Sequence, residues 1–119
     1  MKKINTVKKN EEFTRIIKNG IYYKTKYFSL YKLNNKLDRY RFGISVGKKN
    51  GNAVMRNKIK RQLRNIIDKY KKNYSNNEDY IIIVKKDYDV NFYSDIEEKF
   101  YEALKKLNKK GEKSNEKKQ

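Results

Sequence analysis

The sequence contains no cysteine and no histidine. Without cysteine, the chain has neither disulfide bonds nor thiolate zinc sites. Without histidine, it lacks the usual general base and the commonest metal ligand of proteins. No apolar run is long enough to span a bilayer, and no apolar stretch follows the lysines near Met1, so no signal peptide is predicted. These absences lead us to expect a cytoplasmic protein without a protein-bound metal or cofactor.

Negative charge is also scarce. The chain has 119 residues, 32 Lys or Arg against 14 Asp or Glu, and a formal net charge of +18. Such a charge indicates a polyanionic partner, either nucleic acid or an anionic membrane. A lysine-rich genome would raise the number of basic residues without any selection for binding. The positions of the basic residues along the chain are therefore more informative than their number. No acid lies between Asp38 and Asp68. Within that interval, three of the six arginines of the chain, Arg56, Arg61 and Arg64, lie in nine consecutive positions.

The most basic stretch, Gly47–Arg64, predicts an amphipathic helix. Asn52 is a good N-cap, because its side-chain oxygen can accept a free backbone N–H of the first turn. At about 100° per residue, one arc of this helix is apolar and the adjoining arc is basic. The apolar arc contains Met55, Ile59, Leu63, Ile66, Ile67 and Tyr70. The basic arc contains Arg56, Asn57, Lys60, Arg61 and Arg64. We expect the first arc to face a core and the second to face an anion.

Two further helices are predicted on either side of the basic one. Asn10 can cap a first helix whose apolar stripe includes Phe13 and Ile17, and Gly20 follows its end. Taken alone, Phe13 and Ile17 are more typical of plain core. Near the C-terminus, Ser94 and Glu97 form a capping box that predicts the start of a last amphipathic helix.

Three extended segments are predicted, at residues 21–33, 40–46 and 80–84. In the first, Tyr27, Ser29 and Tyr31 share one half-polar face that is suited to binding. The last is continuously apolar, which is typical of a central strand covered on both faces.

The order of these elements predicts a single-domain α/β sandwich with helices packed on a small sheet. The strand–helix–strand unit around the basic helix would by default cross over right-handed. The predicted domain spans residues 1–108. Residues 109–119 are low in complexity and highly charged, so they are predicted to form a disordered basic tail.

The sequence contains no recognisable catalytic machinery. It has neither a Walker phosphate loop nor the glycine fingerprint of dinucleotide binding. Ser45 has no histidine to activate it. Asp87, Asp89 and Asp95 are spaced like turn and cap residues rather than as a metal-dependent nuclease site. We therefore expect no catalytic residue in the protein itself.

The residues around the basic helix form a specific pattern, which consists of Ile44–Lys49, Gly51–Val54, Arg56-Asn57, Lys60-Arg61 and Arg64. This pattern resembles the signature of the protein subunit of bacterial ribonuclease P. The likeness extends to Lys8–Phe13 with Lys18 and Gly20, to Phe28–Tyr31 and to Asp79–Val84.

The resemblance implies a fold and a function. The fold is an α+β sandwich related to a ribosomal-protein domain, with a small, mainly antiparallel sheet, three helices and a left-handed crossover. The protein is a cofactor of a catalytic RNA, which binds magnesium ions and removes the 5′ leader of precursor tRNA. The protein alone is not catalytic, and we expect it to be monomeric.

The resemblance also implies two binding surfaces. The residues implied to contact the catalytic RNA are Lys48, Lys49, Arg56, Asn57, Lys60, Arg61 and Arg64. A cleft between the first helix and the sheet would receive the single-stranded leader, at Phe13, Ile17, Ser29 and Tyr31. Ile17 stands where the family often has an aromatic residue, and Ser29 where an aliphatic residue is common. Tyr27, on the predicted strand face, is our candidate for a compensating aromatic residue.

Three other functions fit parts of the sequence. A structural RNA-binding protein, such as a ribosomal protein, would equally explain the basic helix, but it explains the aromatic strand face less well. A helix-in-groove DNA-binding protein would need a second helix close before the basic one. Membrane targeting by the basic helix conflicts with the use of its apolar arc for a core.

Overall fold

A computed structural model describes the backbone of residues 6–118 and the side chains of residues 6–109. Three α-helices are present: α1 (Asn10–Asn19), α2 (Ala53–Lys69) and α3 (Tyr93–Lys118). The four strands are β1 (Ile21–Lys24), β2 (Phe28–Asn34), β3 (Arg41–Ser45) and β4 (Glu78–Val84). Within the described residues, no helix combines the length and the apolarity needed to cross a membrane.

The strands form one mixed sheet in the order β1-β2-β4-β3. β2 pairs antiparallel with both β1 and β4, whereas β3 pairs parallel with β4. This confirms the predicted α+β fold with a mainly antiparallel sheet. It also confirms β4 as a central strand, because six of its seven residues are buried. The connection from β3 through α2 to β4 is the strand–helix–strand unit whose left-handed crossover the resemblance implies. Beyond β3, Val7 N–H donates to Phe42 O at 2.9 Å, so the N-terminal segment covers part of that edge.

The main hydrophobic core lies between one face of the sheet and the helices α2 and α3. From α2 it receives Ile59, Leu63, Ile66 and Ile67, and from α3 it receives Ile96, Phe100, Ala103, Leu104 and Leu107. The sheet contributes buried aromatic rings, and Phe42 stacks on Tyr80 with their centroids 4.6 Å apart. Aromatic residues therefore supply much of the buried area in a chain that is only 36% hydrophobic.

Helix α1 packs alone on the opposite face of the sheet. There, Val7, Ile16 and Ile81 form a small buried cluster, and Phe13, Ile17, Tyr31, Leu33 and Ile83 pack partly buried against it. This cluster is much smaller than the main core. One side of the sheet consequently remains partly open next to α1.

Two predicted helix ends differ in the structure. Asn10 lies in the first turn of α1 rather than capping it, since the helix begins at that residue. The predicted capping box of Ser94 and Glu97 is wrong. The Glu97 carboxylate instead accepts from Lys69 Nζ at 2.8 Å and from Tyr70 OH at 3.1 Å, so it joins α3 to the end of α2.

The chain beyond Asn108 was predicted to form a disordered basic tail at residues 109–119, and this stays a prediction. The backbone of α3 continues as a helix to Lys118. Its sequence is rich in Lys and Glu, which favour helix formation, and a low-complexity charged composition does not by itself oppose a helix.

Candidate nucleic-acid interface

The start of α2 is built as the sequence predicts. Asn52 caps the helix, because its side-chain oxygen accepts from Met55 N at 3.0 Å. Gly51, just before the cap, has a φ of 116°, a backbone conformation that favours glycine. The preceding turn, Lys48–Asn50, is held by Asn50, which is buried and donates from Nδ2 to Lys85 O at 2.9 Å. This bond fixes the turn to the end of β4.

The basic residues of this region form one continuous surface, which we call the basic surface. It consists of Lys48, Lys49, Arg56, Asn57, Lys60, Arg61 and Arg64. All are exposed except Arg56 and Lys60, which are half-buried. Among residues 6–109, none of them forms an ion pair with a carboxylate. In this part of the chain Arg56 Nε is buried and has no hydrogen-bond partner. The positive charge is therefore left for an external anion.

A groove lies beside the basic surface, between α1 and the open part of the sheet. We call it the cleft. Its walls include Phe13 and Ile17 of α1, and at the β3 end it is lined by Ser45 and by Lys60 of α2. Gly43 makes this packing possible: a Cβ atom there would lie 2.6 Å from Cζ of Phe13. The phenyl ring therefore rests directly on the backbone of β3.

The strand register orders the floor of the cleft into two rows. One row crosses all four strands through Tyr22, Tyr31, Ile81 and Gly43. The next row crosses them through Lys24, Ser29, Ile83 and Ser45. Because residues that pair directly across strands point to the same face, both rows face α1. The first row is mainly aromatic, with Phe13 lying over Gly43, and the second is mainly polar.

Known proteins resemble this chain over most of its length. The family model for ribonuclease P matches residues 1–108. The chain belongs to the ribonuclease P protein family. A ribonuclease P protein component from Streptococcus pneumoniae is 38% identical over 105 residues, which cover 88% of this chain and 85% of that protein.

Solved structures agree. A ribonuclease P protein from Staphylococcus aureus has a TM-score of 0.74 and 39% identity, covering 85% of this chain and 93% of that one. One from Thermotoga maritima has a TM-score of 0.73 and 28% identity, covering 86% and 96%. These likenesses confirm the resemblance that the motif indicated and favour it over a ribosomal protein. The chain is thus the protein component of an endoribonuclease that processes the 5′ ends of tRNA.

In this ribonuclease P protein, four of the five residues predicted for the cleft lie together. Phe13 and Ile17 from α1 and Tyr31 from β2 pack on the same small cluster. Ser29 lies next to Tyr31 on the same strand face but is only 6% exposed, so it forms part of the floor.

Tyr27 does not belong to the cleft, so its predicted place there is wrong. Its ring is buried in the main core, and its OH donates to Asp95 of α3 at 2.5 Å. That hydrogen bond, together with burial, raises the pKa of Tyr27 to about 12. The predicted alternation of side chains between the two faces of residues 21–33 fails because the chain turns at Thr25. The Oγ1 of Thr25 accepts hydrogen bonds from Tyr27 N and Phe28 N. Tyr27 therefore precedes β2 rather than following its pleat.

Sequence reasoning missed Tyr22. It lies on β1 directly opposite Tyr31, and the ring centroids are 5.5 Å apart. The signal that could have found it is the hairpin. Had Thr25 been recognised as a turn residue, the antiparallel register would have put Tyr22 on the face of Tyr31.

Another groove lies beside α3, with a volume of about 820 Å³. Its lining mixes acids such as Glu98 and Glu102 with bases such as Lys105 and Lys106. Such a mixture suits a polyanion less well than the basic surface does.

Proposed function

We propose that the basic surface binds the catalytic RNA of ribonuclease P through its phosphates. The observation that carries this proposal is the absence, among residues 6–109, of any carboxylate paired with these Arg and Lys side chains. Arginine presents a planar fork of donors that suits phosphate oxygens, and such contacts position an RNA without reading its sequence.

The cleft, in the same proposal, takes the single-stranded 5′ leader of precursor tRNA. Unpaired bases can stack on aromatic rings, and such stacking tolerates any sequence. Phe13 and Tyr31 supply two half-buried rings along one row of the floor. A subunit that serves many precursor tRNAs with different leaders needs this tolerance.

The protein's part in catalysis is to bind and to position. Within the described residues, no three Asp, Glu, His or Cys side chains are grouped as a metal site would require. The buried carboxylate of Asp79 is already bound to the Arg41 guanidinium. We therefore assign the magnesium ions of the reaction to the RNA component.

Reconstitution tests the proposed role. The purified protein alone should not cleave precursor tRNA. Combined with its cognate catalytic RNA at low magnesium, it should restore removal of the 5′ leader, because it supplies positive charge and leader contacts that the RNA lacks. Absence of any stimulation by the folded protein would contradict the proposal.

The salt dependence of RNA binding tests the basic surface itself. If about six phosphates are contacted, log Kd should change with log salt at a slope of magnitude roughly 4 to 5. Replacing Arg56, Lys60 and Arg64 together with Ala should reduce that magnitude by about 2 to 3.

A matched control removes the same charge from a different helix. Lys105, Lys106 and Lys109 are exposed on α3, away from the basic surface. Their triple Ala variant should keep most of the wild-type slope. Equal slopes for the two triple variants would show that total charge, rather than the α2 surface, governs binding.

A further inference from the structure

Tyr22 extends the aromatic row of the cleft to the edge of the sheet. The row begins where the Phe13 ring lies over Gly43 of β3, continues to Tyr31 of β2 and ends at Tyr22 of β1. Strands lie about 4.8 Å apart, so the floor from β3 to β1 spans roughly 14 Å. An extended polymer that enters beside Lys60 would therefore cross three rings before it leaves the sheet.

The exposure of Tyr22 suits a binding role. Its side chain is 45% exposed although its ring lies only 5.5 Å from the Tyr31 ring. The two rings are tilted by 35°, so together they present a stepped aromatic surface. Lys24, two residues further along β1, places its Nζ 5.5 Å from the centroid of the Tyr22 ring.

The opposite wall of the cleft offers no equivalent ring near this point. Besides Phe13, helix α1 contributes Ile17 to the cleft, which is aliphatic and half-buried against the small cluster. The only aromatic residue of α1 is Phe13, which lies towards β3. At the β1 end, stacking must consequently come from the sheet.

We propose that Tyr22 stacks a leader base upstream of the one at Tyr31, with Lys24 meeting the adjoining phosphate. This inference rests on the proposed leader-binding role of the cleft. It makes a specific statement about this chain: the contribution of Tyr22 begins only when the leader is long enough to reach β1.

The test uses the reconstituted holoenzyme and precursor tRNAs whose leaders increase one nucleotide at a time. Tyr22→Ala should weaken binding of long leaders by roughly 5- to 150-fold, the effect of one lost base stack. Short leaders should bind as tightly as to the wild type. Tyr22→Phe should bind all leaders like the wild type, because stacking needs the ring and not the hydroxyl. Tyr22→Leu keeps bulk on the strand without a ring and should repeat the alanine result.

Tyr101 provides a matched control. It is 41% exposed, its ring lies 5.4 Å from that of Tyr70, and Lys105 sits 5.2 Å from its centroid. It belongs to α3, on the other side of the sheet from the cleft. Tyr101→Ala should leave binding unchanged at every leader length.

Tyr31→Ala separates this inference from the proposed function. If Tyr31→Ala weakens leader binding while Tyr22→Ala and Tyr22→Leu do not, the assignment of Tyr22 is overturned and the cleft proposal stands. A loss for Tyr22→Ala that is equal at all leader lengths also overturns it. If neither Tyr31→Ala nor Phe13→Ala affects leader binding, the cleft proposal itself fails and this inference fails with it.

Discussion

At the scale of single residues, a buried ion pair holds α1 in place beside the cleft. Asp79 is fully buried and accepts from Arg41 Nε at 2.9 Å and from Arg41 Nη2 at 2.8 Å. The same guanidinium donates from Nη1 to Glu12 of α1 at 3.0 Å. The pair therefore connects β3, β4 and α1.

Removal of Arg41 should be costly, because it would leave the Asp79 carboxylate charged and buried without its main partner. We expect Arg41→Ala to lower the free energy of unfolding by about 3–5 kcal/mol. Arg15 is the matched control: its side chain is 46% exposed and its Nη2 lies 3.6 Å from the same carboxylate. Arg15→Ala should cost less than about 1 kcal/mol. Urea unfolding of both variants measures the difference, and equal costs would contradict the role given to Arg41.

At the scale of elements, the junction of α1 with β1 depends on Gly20. A Cβ atom at this position would lie 2.6 Å from Ile16 O and 2.6 Å from Lys32 O. Both are backbone atoms, so neither can rotate away. The absence of a side chain at Gly20 lets the end of α1 pass directly over β2.

Two glycine substitutions should therefore have opposite effects on stability. Gly20→Ala should destabilise the protein by roughly 1–3 kcal/mol, because helix and strand must separate. Gly47→Ala should stabilise it by about 0.4–1 kcal/mol, because alanine restricts the unfolded chain. No described atom lies within 4 Å of a Cβ built on Gly47. Urea unfolding of the RNA-free protein checks both signs, and stabilisation by Gly20→Ala would contradict the packing.

Elements defined by local signals were predictable from the sequence. The Asn52 cap, the buried arc of α2 and the central position of β4 all follow from residue type and periodicity. Met55 is the exception on α2, since it is 37% exposed at the open start of the helix. The α2 part of the basic surface followed from the same periodicity, whereas Lys48 and Lys49 were added by the family resemblance.

Features that depend on tertiary contacts were not predictable. Thr25 forms a turn without glycine or proline, so the sequence gives no sign that the extended segment is interrupted there. The prediction therefore continued the strand alternation from β1 into β2 and placed Tyr27 in the cleft. Glu97 binds Lys69, a partner 28 residues away in sequence, rather than the helix start. Arg41 and Asp79 are 38 residues apart and meet only because β3 and β4 pair in parallel.

At the scale of the whole molecule, buried phenols make the fold sensitive to alkali. Tyr74, Tyr80 and Tyr88 have pKa values raised chiefly by burial, and the pKa of Tyr27 is raised to about 12, first by its bond to Asp95. The pKa of each of these tyrosines in the folded protein lies above the ordinary value of 10.0. Their contribution to the free energy of unfolding is therefore fully present below about pH 10. It is lost as the pH rises through 10 towards the folded values.

We expect the urea midpoint to fall steeply between pH 10 and pH 12, and the phenolate absorbance of the buried tyrosines to appear together with unfolding. Tyr27→Phe should make the fall shallower in this window, because one of the raised groups is gone. Ionisation of Tyr27 near pH 10 in a protein that remains folded would contradict its hydrogen bond to Asp95.

Lys60 belongs to both proposed binding surfaces, since it lies on the basic arc of α2 and also lines the cleft beside Phe13. If catalytic RNA and leader occupy these surfaces, one ammonium group serves two polymers at once. A substitution at this position that changes the affinity for the leader would then also change the affinity for the catalytic RNA. Position 60 should accordingly tolerate little drift beyond an exchange for arginine, whereas the outer rim at Tyr22 is free to diversify with the leaders of each genome.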